Sequence, residues 1–302
     1  MKTFVGITGT TSVGKSNVAV HLAQLMNTEV ISADSMQIYK GMDIGTAKIK
    51  PEEAHGIKHH MIDIVEPDCN YSSYLYQRDT SNIIDNMCSV PIVVGGTGFY
   101  FDSLLYPPEF GNSTPKRRAE LQEILHRDGL AVLAEMLKNL DEQTYSEIDL
   151  CNPKRVIRAI EIAESGKPKS QGQGKIKPRY NMVLFVLERE RNALYAQIDN
   201  RVDRMIEQGL VDEVRNLVDK YGYIDTPAFS AIGYKEIIEY LQKNTTLQEV
   251  IDKIKINSRH YAKRQITYFK KMNVTDIIDV DGKNSAEIAT YIYRQLKNQG
   301  II

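Results

Sequence analysis

The chain has no run of apolar residues long enough to span a bilayer. Its first residues are apolar, but glycines at Gly6 and Gly9 interrupt them too soon for a signal peptide. They are more typical of a first buried strand. We therefore expect a cytoplasmic protein that does not bind membranes.

Cysteine is also scarce. The three cysteines, Cys69, Cys88 and Cys151, show no metal-site spacing, which is typical of reduced thiols inside a cell. A formal net charge of -1 argues against a protein that is basic all over, although a local basic surface remains possible. Apolar and charged fractions of 42% and 25% are those of an ordinary soluble globular protein.

Short apolar segments alternate with segments of helical periodicity. A mostly apolar strand leads into a glycine-rich loop, which opens onto an amphipathic helix. This alternation, with glycines at strand ends, indicates an α/β fold with a parallel sheet covered by helices on both faces. The predicted strands are residues 3–8, 30–33, 61–65, 91–94, 182–187 and 276–280, and the predicted helices of the first third are 17–26 and 72–87.

A different pattern interrupts the sheet. Residues 116–126, 130–140 and 153–164 each carry apolar residues at three- and four-residue intervals, and a polar, glycine-rich, basic linker follows at 165–175. We interpret residues 113–180 as a helical insertion domain. The predicted core domain then comprises residues 1–112 and 181–302.

A phosphate-binding motif joins the first strand to the first helix. In the pattern Gly-x-x-x-x-Gly-Lys-Ser, backbone N–H groups and the helix N-terminus point at phosphate oxygens. Lys15 adds a positive charge, and the Ser16 hydroxyl can bind Mg²⁺. We call this segment the phosphate loop; its residues are Gly9, Thr10, Thr11, Ser12, Val13, Gly14, Lys15 and Ser16.

Two polar residues follow strands that end beside this loop. Asp34 follows the second strand and could act as a general base, or it could be an ordinary turn aspartate. Thr97 lies among Gly95, Gly96 and Gly98, and could contact reacting atoms or simply shape a turn. The fourth strand does not end in the aspartate that nucleotide hydrolases use to hold Mg²⁺.

Basic residues cluster along the chain. Lys255, Arg259, Lys263 and Lys270 fall on one face of a predicted helix within residues 253–271. Such a face contacts nucleic-acid phosphates in some proteins and is merely solvated in others. Further basic groups lie in the insertion, at Arg117, Arg118, Lys154, Arg155, Arg158 and residues 167–179.

Several longer segments follow one another in a specific order: residues 31–48, 59–63, 95–100, 155–161, 232–236 and 262–269. They resemble the motifs of the tRNA dimethylallyltransferase family over nearly the whole chain. The resemblance implies a P-loop NTPase-like fold with a tRNA-binding helical insertion. It also implies transfer of a dimethylallyl group from dimethylallyl diphosphate to N6 of the adenosine beside the anticodon, in tRNAs that read codons beginning with U.

The resemblance assigns roles to individual residues. The phosphate loop and Arg201 would hold the diphosphate with Mg²⁺ at Ser16, Asp34 would accept the N6 proton, and Thr97 would lie at the reacting centre. The protein would act as a monomer on the anticodon stem-loop. The implied tRNA contacts are Asp34, Ser35, Met36, Gln37, Arg118, Lys154, Arg155, Val156, Ile157, Arg158, Ser230, Ala231, Ile232, Gly233, Tyr234, Lys235, Lys263, Arg264, Gln265, Ile266, Thr267, Tyr268, Phe269 and Lys270.

Other functions share part of this pattern. An isopentenyltransferase acting on free AMP would use the same loop and Asp34 but would not need the basic insertion. A small-molecule kinase would bind ATP at the loop and leave the Asp34 segment unexplained. The adjacent histidines His59 and His60 would point to opposite faces of a strand, which disfavours a metal site.

Overall fold

The computed structural model describes residues 1–106, 115–165, 177–242 and 245–302. The chain forms two compact units, which we call the core unit (Met1–Leu105 with Arg179–Ile302) and the helical unit (Tyr106–Pro178). Of the predicted domain limits, residue 113 lies outside the described residues, as does most of the predicted linker at 165–175.

The core unit is built on a parallel sheet with strand order β3-β2-β4-β1-β5-β6. Its strands are β1 (Thr3–Gly9), β2 (Val30–Ser32), β3 (His59–His60), β4 (Ile92–Val94), β5 (Asn181–Glu188) and β6 (Asp276–Asp279). The helices of the described residues are α1 (Lys15–Met26), α2 (Ser73–Asn86), α3 (Gly98–Leu105), α4 (Pro115–Asp128), α5 (Leu130–Leu140), α6 (Glu142–Glu147), α7 (Pro153–Glu164), α8 (Arg191–Glu207), α9 (Leu210–Tyr221), α10 (Tyr234–Leu241), α11 (Leu247–Phe269) and α12 (Ser285–Asn298).

Both faces of the sheet are buried, as the apolar strands predict. Val5 and Ile7 of β1 pack on the face covered by α1 and α12. Phe4 of the same strand packs on the opposite face, against α2 and α3. The predicted α/β architecture is therefore confirmed, and its central strand is covered on both sides because its side chains alternate between two apolar layers.

One predicted strand is wrong. Residues 61–65 do not form a strand; β3 is the dipeptide His59–His60, and Val65 pairs with Tyr39 only as an isolated bridge. Met61 and Asp63 adopt positive φ angles of 62° and 55°, which turn the chain out of the extended conformation. Apolar composition suggested a strand here, but it could not reveal these turns.

A third apolar cluster surrounds the segment after β2. Ile38, Tyr39 and Met42 are buried against α8, α9, α10 and α11. The segment has little regular secondary structure, and this packing holds it beside the phosphate loop.

The helical unit has its own core. Leu121, Leu133, Leu137 and Ile160 are fully buried where α4, α5 and α7 meet. The short helix α6 was not predicted; Asp141 caps it by accepting a hydrogen bond from the Thr144 N–H.

A buried carboxylate lies at the edge of this core. The Glu161 side chain is inaccessible to solvent and accepts hydrogen bonds from Arg118 at 2.8 and 2.7 Å and from Arg158 at 3.1 Å. The two arginines therefore neutralise a buried charge within the helical unit, in addition to any role that they have at its surface.

Within the described residues, no helix has the length and apolar character that crossing a membrane requires.

We expect Glu161→Gln to lower the stability of the helical unit by about 1.5–3 kcal/mol, because the amide cannot accept from both arginines as the carboxylate does. Hydrogen exchange of α4 and α7 in the full chain would measure the loss. Glu135→Gln is the control, since Glu135 is exposed on α5. Equal exchange in the two variants would contradict the structural role of Glu161.

Candidate active site

The phosphate loop leaves β1 at Gly9 and ends at the first turn of α1. Its backbone turns sharply, with positive φ angles at Gly9 (146°), Ser12 (65°) and Gly14 (95°). The loop thereby places the N-terminus of α1, with its positive partial charge, at the carboxyl end of the sheet. This is the geometry that the motif predicted.

Two hydroxyl groups of the loop lack a hydrogen-bond partner among the described residues. They are Thr10 Oγ1 and Ser12 Oγ, and both atoms are buried. Buried hydroxyl groups usually form hydrogen bonds. Two that have no partner, in a loop with the phosphate-binding pattern, therefore indicate a site for a bound polar group.

Lys15 lies inside the loop. Its amine donates to the Gly9 carbonyl at 3.0 Å and to the Thr10 carbonyl at 2.6 Å. Burial lowers the pKa of the Lys15 amine to about 7, while the Asp34 carboxylate opposes that shift. An anion bound in the loop would favour the charged form of the amine.

Arg201 of α8 approaches the same loop. Its guanidinium donates to Thr11 Oγ1 at 3.0 Å and to the Thr46 carbonyl at 3.4 Å. Burial lowers the pKa of Arg201, and the Asp34 carboxylate opposes that shift as well. Thus the predicted diphosphate ligands Lys15 and Arg201 both belong to one buried, positively charged site.

Asp34 and Thr97 lie at the ends of the neighbouring strands β2 and β4. Asp34 Oδ1 accepts from the Met36 N–H at 2.9 Å, so the carboxylate also forms the turn that a structural aspartate would make. Thr97 Oγ1 accepts from the Ser35 N–H at 3.1 Å. The threonine therefore orients the segment that carries Asp34.

Glycines allow these strand ends to approach closely. A side-chain carbon on Gly95 would overlap with the backbone of Ala33, and one on Gly96 would overlap with the amide of Gln265. Gln265 of α11 accepts from the Thr11 N–H at 2.9 Å and donates to the Gly96 carbonyl at 2.9 Å. It joins the helix to the phosphate loop and to the end of β4 rather than lying on a free surface.

Two adjoining cavities meet at this site. A polar cavity of about 380 Å³ is lined by the phosphate loop, including Lys15 and Ser16, and a more apolar one of about 320 Å³ is lined by Met36, Met205 and Ile232. The residues that line both are Thr11, Ser12, Asp34, Thr46, Arg201 and Tyr261.

Tyr261 was not predicted. It lies on α11 at the border of both cavities, where burial and then the Asp34 carboxylate raise its pKa to about 12. It is therefore a neutral hydroxyl facing the reacting centre. The sequence did contain a signal for this residue: Tyr261 lies four residues before Gln265 on a helix, and residues i and i+4 share a face.

Residues assigned to tRNA near Asp34 divide between the cavities. Ser35 and Met36 line the apolar cavity. Gln37 lines the polar cavity, with its side chain bonded to Ser32 Oγ at 3.0 Å and to the Thr46 carbonyl at 3.3 Å. Ser230, Ala231, Ile232 and Gly233 also line the apolar cavity.

Some of the assigned side chains are largely buried in the free protein. The Tyr234 side chain is 1% exposed, and the Phe269 ring is buried in the core. Val156 and Ile157 are likewise buried in the helical unit. These side chains support the fold, and Tyr234 also lines the apolar cavity; the place of the four residues among the tRNA contacts stays a prediction.

The basic face of α11 is only partly free. Lys255 pairs with Asp203 at 2.6 Å and Arg259 with Asp199 at 2.7 Å, so these two residues fasten α11 to α8. The carboxyl-terminal half of the helix is different. Lys263, Arg264, Thr267 and Tyr268 line an open cavity of about 470 Å³ with His260 and Lys271.

The remaining assigned residues are placed as follows. Lys235 and Lys270 are exposed and Ile266 is partly buried, all in the core unit. Lys154 and Arg155 are exposed on the helical unit, where Asn152 caps α7. Residues 167–176 lie outside the described residues.

The histidine pair has two separate partners. His59 Nδ1 is 2.9 Å from the Ile57 carbonyl, and burial lowers the pKa of His59. His60 Nε2 is bonded to the Glu29 carboxylate.

Comparison with known proteins gives a consistent result. A family model described as IPP transferase matches residues 37–272, and one described as isopentenyl transferase matches residues 2–65. The tRNA dimethylallyltransferase of Thermoanaerobacter sp. (strain X514) is 43% identical over 303 residues, covering 96% of each chain. That of Bacillus subtilis (strain 168) is 42% identical over 305 residues, again covering 96% of each.

Solved structures agree. The tRNA delta(2)-isopentenylpyrophosphate transferase of Staphylococcus epidermidis superposes with a TM-score of 0.74 at 35% identity, covering 99% of this chain and 100% of that one. A eukaryotic dimethylallyltransferase acting on tRNA superposes with a TM-score of 0.85 at 28% identity, covering 99% and 80%. The chain belongs to the IPP transferase family.

Proposed function

We propose that the protein transfers a dimethylallyl group from dimethylallyl diphosphate to N6 of the adenosine beside the anticodon of tRNA, releasing diphosphate. The observation that carries the proposal is the position of Asp34, on the border between a cavity lined by the phosphate loop and an apolar cavity. A carboxylate there reaches both the leaving group's site and the site of an apolar or aromatic substrate group.

The phosphate loop holds the diphosphate in this proposal. Ser12, with its unpaired hydroxyl group, the first turn of α1, Lys15 and Arg201 all line one polar cavity. As the carbon–oxygen bond breaks, negative charge grows on the leaving diphosphate. Buried cations and oriented N–H groups stabilise that charge more strongly than water does.

The residues of the site also fit Mg²⁺. Ser16 lies in the first turn of α1 and lines the polar cavity together with Asp34. The hydroxyl and carboxylate oxygens of these residues are the kind of ligand that Mg²⁺ prefers. Ser16 would hold the ion together with diphosphate oxygens. When bound, Mg²⁺ neutralises part of the charge on the leaving group.

Asp34 then acts as the base. The N6 nitrogen forms a bond to the first carbon of the dimethylallyl group, the bond to diphosphate breaks, and the N6 proton passes to the Asp34 carboxylate. The hydrogen bond from the Met36 N–H orients that carboxylate, and Thr97 fixes the same turn through the Ser35 N–H. Both contacts therefore hold the carboxylate in one position, from which it can accept the N6 proton.

The tRNA contacts differ in kind. The open cavity beside Lys263 and Arg264 offers cations and the Tyr268 ring, which suit phosphates and unstacked bases. The target adenine must leave its stack to reach Asp34, and the apolar cavity provides a pocket for such a base. We also expect the protein to act as a monomer.

We expect Asp34→Asn to lower kcat for tRNA prenylation by about 100-fold or more, because the amide cannot accept the N6 proton. The mass gain of one prenyl group on adenosine, with dimethylallyl diphosphate, Mg²⁺ and unmodified tRNA, measures the rate. Asp219→Asn, at an exposed position of α9, should retain the wild-type rate. A wild-type rate in Asp34→Asn would rule out the proposed base.

The same assay distinguishes tRNA from a free nucleotide. We expect efficient prenylation of tRNA and little of AMP, because AMP cannot use the surface around Lys263 and Arg264. Comparable kcat/KM values for AMP and tRNA would instead identify the protein as a free-nucleotide isopentenyltransferase.

We also expect diphosphate binding to take up a proton. The pKa of Lys15 is about 7 in the free protein, so at pH 8 the amine is mostly neutral. Bound diphosphate favours the charged form of the amine. Binding to the wild type at pH 8 should therefore take up about one proton more than binding to Lys15→Arg, whose side chain stays charged. Affinity should therefore fall as the pH rises above 7.

Calorimetric titration of magnesium diphosphate in Tris and in HEPES separates this uptake from protons released by the ligand. Identical proton uptake by the wild type and by Lys15→Arg would show that Lys15 does not change its charge on binding.

A further inference from the structure

A single carboxylate holds the loop that follows β2. The backbone N–H groups of Asp43, Ile44 and Gly45 donate to Glu213 at 3.0, 2.7 and 3.2 Å. Glu213 lies in the first turn of α9, far away in sequence and outside both cavities. Because consecutive N–H groups converge on it, this side chain determines the path of the loop.

Tyr234 completes the arrangement. Its hydroxyl donates to Glu213 Oε1 at 2.6 Å, and its ring lies so close to Gly45 that a side-chain carbon there would overlap with it. Burial, followed by the Glu213 charge, raises the pKa of Tyr234, so the phenol remains a donor. The motifs around Gly45 and Tyr234, neither of which has a part in the proposed chemical step, thus meet at Glu213.

The other end of the loop reaches the diphosphate site. The Thr46 carbonyl, next to Gly45, accepts from Arg201 at 3.4 Å and from the Gln37 amide at 3.3 Å. Arg201 in turn donates to Thr11 of the phosphate loop at 3.0 Å. The contacts therefore run from Glu213 through the loop to the guanidinium group.

We propose that Glu213 is a positioning residue for the diphosphate: it fixes the loop at residues 43–46, whose Thr46 carbonyl orients Arg201 toward the phosphate loop. The inference rests on the proposed function, because it concerns the same diphosphate site. Misplacing a ligand group by a fraction of an ångström weakens binding substantially.

The chemistry of Glu213 makes the proposal specific. Oε2 accepts from two N–H groups, and Oε1 accepts from one N–H group and the Tyr234 hydroxyl. A glutamine has nearly the same shape, but its NH₂ group would face hydrogen-bond donors. Glu213→Gln should therefore disturb the loop although it preserves the volume of the side chain.

A double-mutant cycle on the affinity for magnesium diphosphate tests this role. We expect Glu213→Gln to raise the Kd about tenfold, in the range for residues that orient a ligand-binding group. In an Arg201→Ala background the same substitution should change the Kd little, since it acts through Arg201. Asp141→Asn is the matched control, because Asp141 also accepts a backbone N–H bond but lies in the helical unit.

The outcomes are distinct. An unchanged Kd in Glu213→Gln, or an equal increase with and without Arg201, would overturn the positioning role while leaving the proposed function intact. Failure of the wild type to bind magnesium diphosphate would overturn both. If Glu213→Gln does not fold, Tyr234→Phe decides: loss of one hydrogen bond should raise the Kd about two- to threefold, and only when Arg201 is present.

Discussion

The hydrogen bonds of Gln265 are the constraint on which the site depends. One amide group of α11 binds the phosphate loop at the Thr11 N–H and the end of β4 at the Gly96 carbonyl. It thereby fixes the helix relative to two strand ends. The same helix carries Tyr261, which borders both cavities, and the basic residues Lys263 and Arg264, which line the open cavity.

The electrostatics of the site follow from burial. Lys15 and Arg201 are withdrawn from water, which lowers the pKa of each, and the Asp34 carboxylate opposes both shifts. Two desolvated cations beside one carboxylate favour an anionic ligand, because the ligand restores the charge balance that burial removed. The same arrangement suits a reaction in which negative charge develops on a leaving diphosphate.

Local sequence predicted much of this, and its failures are informative. The parallel sheet, the phosphate loop and three helices of the insertion were predicted because hydrophobic periodicity and glycine patterns act over a few residues. Residues 61–65 were wrongly assigned as a strand because positive φ angles at Met61 and Asp63 depend on surrounding packing. The packing of the Tyr234 ring against Gly45 was not predicted either, because the two residues are far apart in the chain.

By itself, the sequence predicted the phosphate loop and its geometry. Gly9, Gly14, Lys15 and Ser16 act within one strand–loop–helix unit, and the order of the longer motifs identified the family. Only the tertiary structure decided which distant groups complete the site. Tyr261 borders both cavities and Glu213 supports the site from outside them, and neither was predicted. The hydrogen bonds that join Arg201 and Gln265 to Thr11 also link residues far apart in the chain. No local pattern encodes those distances, because they arise only when the helices pack against the sheet.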